Sequence, residues 1–186
     1  MIILIEGFDQ TGKSTLARAL ARDLDLPLAR FGVPPAIGVL QHFLTKIEVQ
    51  RSGRGLVVDR LHLSNYAYNG RLGGGVLTAE EWSAVDGYLA RRWSGLLLLV
   101  DSPFAIERRL RQEGPSEASG LTREQIGATC GRLSAAFAAS NIPHKRSLRL
   151  PNFLDPATGE PTDHYRRFVE LVQSRLKAPP LDGATA

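Results

Sequence analysis

The sequence of 186 residues has a single cysteine, Cys130, and only four histidines. One thiol cannot form a disulfide within the chain, which fits a reducing compartment and argues against a metal site built from cysteines. The histidines have none of the spacings that are typical of metal ligands, so we assign no zinc site. We therefore expect a cytoplasmic protein without a zinc centre.

The sequence also lacks an apolar run of about 18 residues, so we expect no membrane-spanning helix. The apolar start, Met1–Ile5, has no basic segment before it and is followed directly by Glu6, which predicts a buried strand and not a signal peptide. No block of about five or six like charges is present, and the net charge of +4 supports a polynucleotide partner only weakly. With 43% hydrophobic residues, the composition is that of a globular domain.

Apolar runs alternate with amphipathic stretches, which predicts an α/β fold with a five-stranded parallel sheet and helices on both faces. Strands are predicted at residues 1–6, 28–31, 56–58, 96–100 and 144–150. Helices are predicted at residues 13–23, 37–51, 61–70, 78–92, from 103 onward, 122–140 and 162–177. We expect a single domain over residues 1–178, with a short lid around 108–121 and a frayed tail at 179–186.

The segment Gly7–Ser14, with the sequence G-F-D-Q-T-G-K-S, matches the phosphate-binding loop pattern G-x-x-x-x-G-K-S/T at every fixed position. The glycines let the backbone N–H groups approach phosphate oxygens, the lysine supplies a positive charge, and the serine supplies a hydroxyl for Mg²⁺. The helix that begins here adds the positive end of its dipole. The residues predicted to bind ATP are Gly7, Asp9, Gln10, Thr11, Gly12, Lys13, Ser14 and Thr15.

A second polar segment follows the apolar strand at residues 56–58. Asp59 and Arg60 stand at its carboxyl end, which is where α/β sheets bind their ligands. With the phosphate-binding loop nearby, Lys13, Asp59 and Arg60 are the first candidates for catalytic residues. A surface ion pair that closes the strand is the alternative interpretation of Asp59 and Arg60.

Two blocks of sequence resemble thymidylate kinase-like nucleotide kinases. Residues 6–15 are similar to that family's E-G-x-D-x-x-G-K-S-T, and residues 59–70 are similar to its D-R-Y-x-x-S-x-x-A-Y-Q-G. The resemblance implies a P-loop kinase fold, ATP and Mg²⁺. It places Asp9 near the acceptor's sugar, Arg60 at the acceptor's phosphate, and Asp59 beside the metal together with Ser14, in part through water. Residues implied at the acceptor base are Ser64, Tyr68 and Asn69.

The sequence departs from the family pattern on the acceptor side. A helix that carries base-reading aromatic and arginine residues normally precedes the helix that ends near Arg51, but here only residues 32–36 follow the second strand. Part of the family's base pocket is therefore expected to be absent, and thymine specificity is left open. Phe31, at the end of the second strand, either stacks on a base or packs in the core.

The arginine that would stabilise the transition state is predicted in the lid, because residues 10 and 11 of the loop are Gln and Thr. Arg108 and Arg111 lie three residues apart on the helix before the lid, on the face opposite to Ile106 and Leu110. The alternative is a solvated helix face. Asp101 either caps this helix or binds Mg²⁺ through water.

The favoured hypothesis is ATP-dependent phosphoryl transfer to a nucleotide acceptor, most simply a (deoxy)nucleoside monophosphate. The alternative acceptor is a hydroxyl on a nucleoside or on a modified base in DNA, with Asp59 as general base. A third hypothesis is an ATP-binding module without transfer activity, against which intact Lys13, Ser14 and Arg60 argue. No membrane partner is expected, and a homodimer stays open because members of the resembled family often dimerise.

Overall fold

The computed structural model describes residues 1–70, 74–92, 94–112, 120–155 and 157–177. Its elements are β1 (Ile2–Gly7), α1 (Lys13–Leu24), β2 (Leu28–Arg30), α2 (Val39–Gln50), β3 (Leu56–Asp59), α3 (His62–Tyr68), α4 (Ala79–Ala90), β4 (Ser94–Leu99), α5 (Pro103–Gln112), α6 (Arg123–Ala139), β5 (His144–Leu148) and α7 (Asp163–Lys177). The predicted tail at 179–186 and residues 113–119 of the predicted lid lie outside the described residues.

The five strands form one parallel sheet in the order β2-β3-β1-β4-β5, which confirms the predicted fold class. β1 lies in the middle and is buried along its whole length. Its pairing with β3 sets Ile5 opposite Asp59. The loop after β1 and the residues after β3 therefore leave the sheet side by side at its carboxyl edge.

Apolar side chains cover both faces of the sheet, as is usual for parallel sheets. On one face, Leu4 and Val58 pack with residues from α2, α3, α4, α5 and α6. On the other face, Ile5 and Val57 pack with α1 and α7. Among the described residues, no helix is both long and apolar enough to cross a bilayer.

The predicted helix starts are confirmed at two capping boxes, Thr78 with Glu81 and Thr122 with Gln125. The prediction for α2 was wrong at its first turn. Gly38 adopts a left-handed conformation with φ of 70°, so the helix starts at Val39 and Ile37 remains 86% exposed.

Candidate active site

The phosphate-binding loop connects β1 to α1, and its two glycines fill positions where other residues are disfavoured. Gly7 has φ of +146°, and a Cβ there would lie 2.5 Å from the carbonyl oxygen of Leu99. Gly12 has φ of +86°, and a Cβ there would lie 2.2 Å from Cδ2 of Leu150. At Gly7 both the backbone conformation and the available space therefore require glycine, whereas at Gly12 the left-handed backbone favours glycine and the Leu150 side chain would have to shift for any Cβ.

Lys13 lies under this loop and is 4% exposed. Its Nζ donates to the carbonyl oxygen of Phe8 at 2.7 Å and stands 3.6 Å from Oδ1 of Asp9. The Thr11 hydroxyl donates to the same carbonyl at 2.7 Å. The loop is thus closed around the lysine, and the ammonium group is held where the loop's backbone curves.

Ser14 and Asp59 bring two side-chain oxygen donors together. The Ser14 hydroxyl donates to Oδ2 of Asp59 at 2.6 Å, while Oδ1 of Asp59 is buried and has no hydrogen-bond partner among the described residues. Hydroxyl and carboxylate oxygens suit Mg²⁺, which keeps several water or phosphate ligands. In the part of the chain that the structure describes, no group of three or more His, Cys, Asp or Glu side chains is placed to hold a metal ion. Two protein donors would leave the other positions of a Mg²⁺ ion to water or phosphate oxygens.

Arg60 points back across the site from the end of β3. Its guanidinium forms an ion pair with Asp9 and lies 5.8 Å from the centre of the Tyr68 ring. The Tyr68 hydroxyl accepts the backbone N–H of Asp9 at 3.0 Å. The phosphate-binding loop is thus joined to both the end of β3 and the end of α3.

Glu6 performs a role that the sequence did not reveal. It is fully buried at the end of β1, and its Oε1 accepts the backbone N–H groups of Leu61 and Leu63 at 2.9 and 3.1 Å. Its Oε2 accepts the Ser64 hydroxyl. Burial raises the pKa of Glu6, and these bonds oppose the rise. The carboxylate holds the start of α3, and with it the position of Arg60, by bonding the unpaired N–H groups of a helix N-terminus.

The site opens into a cleft of about 520 Å³, lined by the loop, by Asp59 and Arg60, and by Arg30, Phe31 and Gly32. Arg30 is exposed at the end of β2 and was not predicted as a site residue. The parallel sheet was the available signal, since β2 ends beside β3 with Arg30 opposite Asp59. A second, smaller pocket of about 40 Å³ lies beyond Arg60.

The residues predicted on the acceptor side have different surroundings. Phe31 is buried and packs edge-on against Phe43, with 5.4 Å between ring centres, yet it also lines both cavities. Ser64 and Tyr68 line the smaller pocket. Asn69 is exposed at the end of α3 with φ of 48° and lines neither of these two cavities.

The structure does not bring the two predicted lid arginines to the phosphate-binding loop. Arg108 is exposed, and Arg111 is 77% exposed and pairs with Glu107 at 2.6 Å. Arg109 lies there instead, donating to the carbonyl oxygen of Gln10 and pairing with Asp101. Helical spacing alone did not single out Arg109. In the sequence pattern, a half-buried arginine beside an apolar face cannot be distinguished from a solvated arginine.

Asp101 does not cap α5 through its side chain, contrary to one of its two predicted roles. The Ser102 hydroxyl accepts the backbone N–H of Ala105 at 3.2 Å and so caps the helix, while Asp101 holds Arg109. The contact between α5 and the loop therefore consists of an arginine fixed between a carboxylate and a backbone carbonyl.

Several solved structures share this fold over nearly the whole chain. YorR from Bacillus subtilis, solved in complex with phosphorylated GDP, has a TM-score of 0.73 at 18% identity, covering 96% of this chain and 99% of that one. Deoxyadenosine kinase from M. mycoides with bound dATP has a TM-score of 0.51 at 14% identity, covering 96% and 100%. A gluconokinase from Sinorhizobium meliloti has a TM-score of 0.53 at 12% identity, covering 94% and 91%. No family model and no curated protein matches the sequence. The chain therefore has the fold of P-loop kinases.

Proposed function

We propose that this chain is an ATP- and Mg²⁺-dependent kinase whose acceptor is the phosphate of a (deoxy)nucleoside monophosphate. The observation that carries the proposal is the composition of the large cleft. Lys13 and Ser14 line it on the donor side, and Arg30 and Arg60 line it as well, from the ends of β2 and β3. A guanidinium group binds a phosphate through two parallel hydrogen bonds. A cleft that has two arginines beside a phosphate-binding loop therefore suits two phosphate-bearing substrates.

The chain's own residues would act mainly by position and charge. A bound triphosphate would replace the Phe8 carbonyl as the partner of Lys13, while the backbone N–H groups of the loop bind the β- and γ-phosphates. Ser14 and Asp59 would hold the metal, which neutralises charge on the transferring phosphoryl group. Arg60 would give up its ion pair with Asp9 and bind the acceptor's phosphate. The Asp9 carboxylate would then accept a hydrogen bond from a hydroxyl of the sugar.

One observation favours a second candidate, a kinase whose acceptor is a hydroxyl on a nucleoside or on a modified base in DNA. Among the described residues, the buried Oδ1 atom of Asp59 has no hydrogen-bond partner, and it would take the proton of an attacking hydroxyl. The likeness in fold to deoxyadenosine kinase is compatible with either acceptor. The finer prediction of a thymidylate kinase-like enzyme rests on the two sequence motifs.

Labelled ATP offered with mononucleotides, nucleosides and DNA separates these candidates. Label on nucleoside monophosphates supports the proposal, whereas label only on nucleosides or only on DNA would favour the second candidate. Tight ATP binding without transfer to any acceptor would point to a non-catalytic module. Lys13→Ala should abolish transfer, while Arg18→Ala, on the exposed face of the same helix, should retain it.

Arg30 gives a sharper test of the kind of acceptor. Arg30→Ala should raise the KM for a monophosphate acceptor by about tenfold or more, because a charge-assisted hydrogen bond contributes about 1.5–3 kcal/mol. The KM for ATP should change much less. An unchanged acceptor KM would argue against a phosphate between Arg30 and Arg60.

A further inference from the structure

The smaller pocket adjoins the large cleft, and Phe31, Gly32 and Arg60 line both. A nucleotide whose phosphate lies at Arg60 would therefore extend its sugar and base toward this pocket. Its walls are largely apolar and include Phe31, Val33, Pro34 and Phe43. A flat ring can stack or pack against such walls.

The polar side chains of the pocket are bound to other parts of the protein. Ser64 donates to Glu6, and the Tyr68 hydroxyl accepts the N–H of Asp9 at 3.0 Å. The Asn65 amide donates to the carbonyl of Gly75 at 3.0 Å and accepts the N–H of Leu77 at 2.8 Å. A base that needed the donor protons or acceptor atoms already used in these bonds would have to displace bonds that hold α3 and the segment at 74–77 in place.

The pocket is also too small to enclose a base. Its volume of about 40 Å³ corresponds to about three water molecules. The segments at 32–36 and 74–77 narrow the pocket. The N–H of Gly75 donates to the carbonyl oxygen of Pro35 at 2.9 Å. A Cβ at Gly75 would lie 2.7 Å from the carbonyl oxygens of both Pro35 and Ala36. The two backbones are therefore in close contact, and a base can enter only in part.

We infer that the acceptor's base is held by stacking and shape, without hydrogen bonds that read its edge, so that the enzyme phosphorylates monophosphates of more than one base. This inference rests on the proposed function. Sites that hydrogen-bond a substrate group reject analogues lacking it by about 10⁴-fold or more, whereas apolar contacts discriminate by about 10- to 200-fold. Among the described residues, the walls of the pocket offer mainly apolar contacts.

The test compares kcat/KM for dAMP, dCMP, dGMP and dTMP at saturating ATP and Mg²⁺. We expect all four to be phosphorylated, with values that differ by no more than about 200-fold. A larger preference for one base would overturn the inference and leave the proposed function intact. If neither these four nor the corresponding ribonucleoside monophosphates are phosphorylated, the proposed function fails, and this inference fails with it.

A variant of Phe31 tests the stacking surface directly. Phe31→Leu should raise the KM for all four monophosphates by similar factors, because the lost ring contacts do not depend on the base's edge. Phe104→Leu, which changes an aromatic side chain that is 58% exposed on α5, serves as the control and should leave the four values unchanged. A KM increase confined to one base would overturn the inference, and thermal unfolding of both variants checks that they remain folded.

Discussion

Arg60 combines a side chain directed at the phosphate-binding loop with an unfavourable backbone conformation. Its φ of 66° lies in the left-handed region, which bulky residues rarely adopt. Two hydrogen bonds hold it there: its own N–H donates to the carbonyl of Ile5 at 3.0 Å, and the N–H of the next residue, Leu61, donates to Glu6. Such strain persists where the surrounding structure enforces it, and it is common at functional sites.

Two substitutions separate the role of the Arg60 side chain from its backbone strain. Arg60→Gly and Arg60→Ala should lower kcat/KM for a monophosphate acceptor equally, since both lose the guanidinium. The alanine variant should be less stable than the glycine variant by about 1 kcal/mol, because only glycine accepts a positive φ without cost. Urea titration of the two variants measures this difference. Equal stabilities would show that the backbone at residue 60 relaxes when the side chain is removed.

Gly12→Ala should disrupt the phosphate-binding loop. The added methyl would lie 2.2 Å from Cδ2 of Leu150, which would have to move, in a backbone with φ of +86°, and the backbone strain should cost about 1–3 kcal/mol. Thermal unfolding and ATP titration measure the loss. Gly131→Ala is a suitable control, because a Cβ at that position on α6 meets no atom within 4 Å. Wild-type ATP affinity in the Gly12 variant would contradict the described loop geometry.

At the scale of whole elements, Arg109 of α5 contacts the phosphate-binding loop. Arg109→Gln should raise the KM for ATP by about tenfold, since it removes charge-assisted bonds to Gln10 and Asp101 that contribute about 1.5–3 kcal/mol. Arg108→Gln, exposed on the same turn, should change it by less than about twofold. A lower kcat in the Arg108 variant would support the sequence-based assignment to the transition state instead.

Helix α3 is held from a second side by Asp86 of α4. Asp86 is fully buried and accepts hydrogen bonds from Nε2 of His62 at 3.1 Å, from the Ser140 hydroxyl and from the N–H of Asn141 at 2.7 Å. Burial alone would raise the pKa of Asp86, but these bonds outweigh it and lower the pKa below its ordinary value of 3.8. One carboxylate thus joins α3, α4 and the turn before β5.

Asp86→Asn should reduce the free energy of unfolding by about 2–3 kcal/mol at neutral pH, because it removes a charged acceptor from a buried network. Because the folded-state pKa is depressed, this stabilisation is present above pH 3.8 and is lost as the pH falls through the folded-state pKa. The difference in the free energy of unfolding between wild type and Asp86→Asn should therefore become smaller in acid. Urea titrations at pH 7 and near pH 3 measure it, with the exposed Glu80→Gln on α4 as control. Equal stabilities at pH 7 would refute the assigned role of Asp86.

The elements and the phosphate-binding loop were predictable because they depend on local patterns. Apolar periodicity, capping boxes and the spacing of Gly7, Gly12 and Lys13 each lie within a short stretch of sequence. Glu6 and Arg30 were not predicted as site residues, because their positions depend on which strands are neighbours. Sequence spacing fixes the face of a helix but not the packing partner of that face, which is why Arg108 was preferred over Arg109.

At the scale of the whole molecule, ATP should stabilise the fold, since the loop, α1 and the end of β3 all line the cleft. At about 100 times its Kd, ATP with Mg²⁺ should add about 2.7 kcal/mol and raise the Tm by about 5–10 °C. Lys13→Ala should show little or no rise. A full rise in that variant would place ATP outside the phosphate-binding loop, and differential scanning calorimetry distinguishes the two results.

The attachment of Glu6 to α3 has a consequence for how acceptor preferences could change during evolution. Asp59 and Arg60 are held by β1, β3 and the start of α3, whereas the segments at 32–36 and 74–77 narrow the smaller pocket, and the segment at 74–77 bonds to Asn65 of α3. Under the proposed function, mutations or insertions in the segment at 32–36 would therefore alter which acceptors enter while Asp59 and Arg60 keep their places. A lineage carrying this arrangement could adopt new acceptors in small steps, each with an intact catalytic apparatus.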